Sequence, residues 1–124
     1  MDTLINEILE LGIAIQQIPA PTFAEEKRGQ FIEDLFAEEG LLDVSADKAG
    51  NIYGRIPGSG GGAPLVICAH LDTVFPATTN LRLTRDPNLL TGPGIGDNAL
   101  GVAGMIGLLW MLRAKKTQPF GDIW

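Results

Sequence analysis

The chain has a single histidine, His70, and two residues later an aspartate, Asp72. In extended backbone, residues two apart share a face, which sets imidazole and carboxylate side by side. A histidine that ligates zinc normally gives its other ring N–H to a carboxylate or carbonyl, fixing tautomer and orientation. Asp72 is placed to be that carboxylate. The pair follows the apolar run Pro64-Leu65-Val66-Ile67-Cys68-Ala69, and open α/β sheets carry their ligands at strand carboxyl ends. A His-x-Asp pair is common by chance, and a lone histidine is more often an ordinary polar residue than a ligand. The position at a strand end is what raises the metal reading.

A second group is Gly92-Pro93-Gly94-Ile95-Gly96-Asp97-Asn98. Glycines allow positive φ and close backbone approach to a ligand. Asp97 falls at the expected start of an apolar helix, where capping alone would explain it. A glycine-rich turn into a helix is also an anion site. However, no Gly-Lys-Ser/Thr follows, the spacing fits a dinucleotide fingerprint only loosely, and an aspartate there repels a pyrophosphate. A carboxylate at that point suits a cation better than a nucleotide.

These residues need elements to hold them. Leu4, Ile8, Leu11 and Ile15 recur at helical spacing, so residues 2–18 are expected to form an amphipathic helix ended by Pro19 and Pro21. Thr22 and Glu25 have the spacing of a capping box. The box would open a second helix with Phe31, Ile32, Leu35 and Phe36 inward and Gly40 as its stop. The period then changes. Val44 to Asp47 and Asn51 to Ile56 are expected strands around a Lys48–Asn51 turn, and 57–62 is a solvent loop. The unbroken apolar run 64–69 suits a strand covered on both faces, with Cys68 in the core. A short strand pair, Leu81 to Thr84 and Leu89 to Thr91, is expected around Asp86-Pro87-Asn88. From Asp97 to about Arg113 a buried helix follows, apolar nearly all round, and 119–124 turns into another strand. Helices flanking a buried strand imply an α/β fold.

The bulk numbers narrow the function. With 124 residues the chain forms one domain at most. A net charge of −6 argues against nucleic acid and anionic lipid as partners. A lone cysteine permits no internal disulfide. No basic, apolar leader opens the chain, and Val102 to Leu112 is too short and glycine-broken to span a bilayer. The expected location is the cytoplasm.

Taken in tandem, His70-Leu71-Asp72-Thr73-Val74-Phe75-Pro76 and Gly92 through Gly101 resemble the family of peptidase T, glutamate carboxypeptidase, acetylornithine deacetylase and succinyl-diaminopimelate desuccinylase. The resemblance extends to Ile18-Pro19-Ala20-Pro21-Thr22, to Asn51-Ile52-Tyr53-Gly54-Arg55 and to Asp122-Ile123-Trp124. It implies a partial zinc-exopeptidase-like catalytic domain, residues 1–124, with a mixed central sheet flanked by helices. His70 would ligate one zinc. Asp97 would bridge two, with a cis peptide to Asn98, and Asp72 would be the catalytic carboxylate orienting His70. The implied reaction cleaves an amide bond in a small peptide or N-acyl amino acid by metal-activated water, with zinc, or cobalt or manganese in its place.

In that family a Glu-Glu pair, a further carboxylate and a distant histidine complete the two metals, and a lid or dimerisation domain is inserted. The strand expected at Asp122 would lead into that pair, so none of these is expected within residues 1–124, and Glu25, Glu26, Glu38 and Glu39 fall on the solvated face of the second helix. Zinc generally needs three or four protein ligands, and two are offered. The expectation is therefore an inactive fragment with weak or absent zinc binding, prone to self-association as a homo-oligomer through an open sheet edge. Two other readings are a non-catalytic truncated homologue acting as an interaction module and, more remotely, a nucleotide-binding domain.

Overall fold

The helices pack through their apolar stripes. Ile15, Ile32, Phe36, Ile95, Val102 and Ile106 share one buried cluster, drawn from both ends of the chain. The computed structural model describes residues 2–124; Met1, the first residue of the expected domain, lies outside the described residues. The elements run α1 (Asp2–Gln16), α2 (Glu26–Glu38), β1 (Leu42–Ala46), β2 (Ile52–Arg55), β3 (Thr84–Asp86), β4 (Leu89–Thr91) and α3 (Leu100–Ala114).

Helices α1 and α3 cross closely because glycines stand at the contact. A Cβ on Gly12 would lie 2.6 Å from Leu100 Cδ2, and one on Gly107 would collide with Ile8. Helix α2 ends as its Gly40 predicts. Gly40 takes φ 67°, its N–H donates to the Ala37 carbonyl at 2.9 Å, and Leu41 N–H donates to Phe36 at 3.0 Å. This is the paired closure of a Schellman motif, and it turns Leu41 back onto the core.

Strands β1 and β2 pair antiparallel, with an irregularity between Leu42 and Ser45. Just beyond β2, Ile56 exchanges hydrogen bonds of 2.8 and 2.9 Å with Ile123. On its other side, segment 122–124 bonds residues 65–67 in parallel: Leu65 N–H to Asp122, Trp124 N–H to Leu65 and Ile67 N–H to Trp124. The order is thus β1, β2, 122–124, 65–67. Antiparallel and parallel pairs share one small sheet, with α2 packed on β1 and β2. The α/β class and the mixed sheet both hold.

Several expectations shift. Helix α1 stops at Gln16 and α2 begins four residues after Thr22, so the capping box does not form. The Glu25 carboxylate instead accepts from Phe23 N–H at 2.7 Å. The first strand of the 81–91 hairpin moves to Thr84–Asp86, since pairing Asp86 with Leu89 leaves only Pro87 and Asn88 in the turn. Leu81 turns its carbonyl to the amides of Gln16 and Gln17.

The apolar run is the main correction. Val66 is 70% exposed and Leu65 55%, and Cys68 is exposed rather than core. The run bonds 122–124 along one edge only. Residues 66–69 of the run line a cavity of about 860 Å³ together with residues of β2, α2 and α3. The expected helix from Asp97 to about Arg113 is found as α3, Leu100–Ala114, and its apolar stretch extends beyond Val102–Leu112. Residues 95–114 have a mean hydropathy of 1.5, enough by length and composition to cross a membrane. Its regular part is shorter: α3 has 15 residues, about 22 Å against a hydrocarbon core of about 30 Å. Its buried face packs on α1, as expected of a core helix.

Candidate metal centre

The structure brings His70, Asp72 and Asp97 together. His70 lies where the 65–67 strand runs out. Its Nε2 is 2.9 Å from Asp97 Oδ1, and its Nδ1 is 3.1 Å from both Asp72 Oδ1 and the Asp72 carbonyl. Each ring nitrogen therefore faces oxygen acceptors. The imidazole is half exposed, and the Asp97 side chain is 87% exposed, so this edge opens to solvent.

Asp97 is not the helix cap. Helix α3 starts at Leu100 after Ala99 and has no side-chain cap. Asp97 itself has φ −134° and ψ 87°, outside helical values. The Asp97–Asn98 peptide is cis, as the resemblance implies. The loop before it is set by Gly94, whose φ of 72° favours glycine. It is held to α1 by buried Gln16, whose amide donates to the Pro93 carbonyl at 2.8 Å. The glycine motif and the first helix thus cooperate to aim one carboxylate at one imidazole.

On the opposite side stands a group that the sequence reading missed. Thr22 Oγ1 donates to Asp72 Oδ2 at 2.6 Å. Thr73 N–H donates to the Ala20 carbonyl at 2.8 Å. Buried Arg28 spans Ile18 and Leu71, donating to both carbonyls. Thr22 reads as a helix cap in sequence, and Arg28 follows three charged residues, Glu25-Glu26-Lys27. One signal was available for Arg28: it lies one turn before Ile32 and two before Phe36, on the inward stripe of α2.

The electrostatics follow from these contacts. The Thr22 hydroxyl leads in lowering the Asp72 pKa, against partial desolvation, and the His70 hydrogen bond adds to it. For His70, desolvation pulls the pKa down, but the hydrogen bonds to Asp97 and Asp72 outweigh it and the net shift is upward.

Imidazole nitrogen and carboxylate oxygen are donors that suit Zn²⁺. With Asp72 holding the Nδ1 proton, Nε2 would offer its lone pair to a cation beside Asp97 once a metal replaced the proton it shares with that carboxylate. The pair therefore fits zinc in kind and orientation. It falls short in number: Asp72 is turned to Nδ1, and among the described residues no three His, Cys, Asp or Glu side chains are placed to hold one metal ion. Glu25, Glu26, Glu38 and Glu39 do not reach it; Glu39 instead pairs with Arg113 at 2.6 Å and accepts from Trp110.

The histidine–carboxylate pair thus lies at a strand's carboxyl end, where open α/β sheets carry their ligands. The family model for Peptidase family M28 matches residues 51–123, which include both motifs and the β3–β4 hairpin between them. The chain belongs to that family, and so to the zinc-dependent peptidase superfamily. The match supports the superfamily and not the narrower kinship to peptidase T and the deacylases.

Proposed function

We propose that this chain carries half of a two-zinc site for hydrolysing the amide bond of a small peptide or an N-acyl amino acid. The narrower kinship to peptidase T, glutamate carboxypeptidase and the two deacylases belongs to this proposal, supported by the tandem motifs around His70 and Asp97. One observation carries it: His70 Nε2 faces Asp97 at 2.9 Å while Nδ1 is occupied by Asp72.

In this reading His70 holds one metal, Asp97 bridges, and Asp72 fixes the imidazole. Zinc, when bound, supplies the Lewis acidity that polarises the scissile carbonyl and acidifies water. The protein's own contribution is orientation: the Thr22–Asp72–His70 chain keeps the Nδ1 proton in place and leaves Nε2 to the metal.

Two donors give a weak site, so the chain alone binds zinc poorly and does not turn over substrate. Zinc calorimetry on the wild type, His70→Ala and Asp97→Asn tests this. The expectation is weak binding that both substitutions abolish. Tight uptake of two zincs per chain would overturn the half-site, and binding indifferent to His70→Ala would overturn the assignment.

A second reading, self-association, is favoured by the exposed Leu65 and Val66 beside an open strand edge. A mass that rises with concentration in light scattering would support it, and a monomer throughout would not.

A further inference from the structure

Arg28 is 2% exposed, an uncommon place for a guanidinium. Taking such a charge out of water is unfavourable, and apolar replacement of a buried ionic group is often tolerated or stabilising. Its location therefore calls for a reason beyond packing. Its donors go to two carbonyls. Nε and Nη2 reach Ile18 at 3.1 and 2.6 Å, and Nη1 reaches Leu71 at 2.6 Å.

Leu71 is the residue between His70 and Asp72. Its peptide orientation decides which way the side chains on either side of it project. The rigid guanidinium fork ties that peptide to the end of α1, while Thr22 and Ala20 hold the next two residues. A lysine could supply the charge but not the fork, because its ammonium is a point donor on a flexible stem.

We propose that Arg28 is a positioning residue of the candidate metal centre. Through the Leu71 carbonyl it fixes the backbone from which His70 and Asp72 are presented. Arg28 touches neither metal nor substrate in this role. The proposal rests on the half-site reading above, and the experiment separates the two.

His70 is the sole histidine, so its ring nitrogens give an unambiguous NMR signature. Ring ¹⁵N spectra at fixed pH and zinc affinity are compared for wild type, Arg28→Lys, Arg28→Leu and a destabilised core control, Ile106→Val. Both Arg28 variants are expected to shift the Nδ1 resonance, reporting a loosened Asp72 bond, and to weaken zinc binding roughly tenfold. The control is expected to lower Tm and leave both readings alone. Should Arg28→Leu not fold, Arg28→Lys carries the test. If the Arg28 variants lose stability yet keep the wild-type ring spectrum, the role is structural only and the proposal is overturned. If wild type binds no zinc, the metal reading fails, while the ring spectra still decide the fate of Arg28.

Discussion

Residues 64–73 form one extended stretch with two unlike halves. From Pro64 to Ala69 it is apolar, bonded along one edge to 122–124, and open to solvent at Leu65, Val66 and Cys68. From His70 to Thr73 it carries the polar residues, yet this half is the better held. Arg28 grips Leu71, Thr22 grips Asp72, and Ala20 grips Thr73. Hydrophobicity states what a segment would gain by being covered, whereas specific hydrogen bonds decide where it is held. In this molecule the two have come apart along a single strand.

The sharpest way to test that contrast is to truncate one side chain near each half. Ile32 is 2% exposed, one turn beyond Arg28. Ile32→Ala should cost about 3 kcal/mol, whereas Val66→Ala, at a 70% exposed position, should cost less than about 0.5 kcal/mol. Chemical denaturation of both measures the gap. Comparable losses would mean that the apolar half is covered in solution.

A smaller effect is expected at Thr22. Thr22→Val keeps the shape and removes the hydroxyl from Asp72, so it should cost about 1 kcal/mol or less and move the His70 ring signals. Unchanged ring signals would detach Thr22 from the site.

Cys68 offers a test with no stability change. As an exposed thiol in the open half, it should react with a disulfide reagent in native buffer nearly as fast as in denaturant. Protection that grows with protein concentration would show the run being buried between copies.

The mildest effect belongs to the β1–β2 turn, away from both halves. Asp47 accepts from Ala49 N–H, Asn51 N–H, the Asn51 amide and the Tyr53 hydroxyl. These contacts, the Asn51 side chain first, lower its pKa to about 2. A depressed carboxylate pKa stabilises the fold above the unfolded value of about 3.9, and that contribution disappears as pH falls through about 2. The Ala49 and Asn51 amide shifts should titrate with the low midpoint. A midpoint near the unperturbed carboxylate value would remove the turn network.

Sequence made the candidate ligands legible because each sits in a local pattern: His70 and Asp72 two apart on a strand, Asp97 after a glycine turn. The helices were legible from their apolar period, and Gly40 from its place after the stripe. Thr22 and Arg28 were harder to see, because their roles depend on which distant peptide comes alongside. Thr22 had a plausible local partner in Glu25, and the tertiary contact with Asp72 prevailed. The apolar run was misjudged for the opposite reason. Its composition describes a strand with two covered faces, and composition does not supply the cover.

The long-range ties around His70 also bear on when the site comes into being. Arg28 and Leu71 are 43 residues apart, and Thr22 and Asp72 are 50 apart. His70 and Asp97 are separated by 27. The two hairpins close over short turns, and contacts of that kind form early, whereas closures this long come later in folding. The core closes over longer spans still, Gly12 against Leu100 and Ile8 against Gly107, so centre and core come together after the hairpins. A metal or substrate offered before those closures meets hairpins and no site.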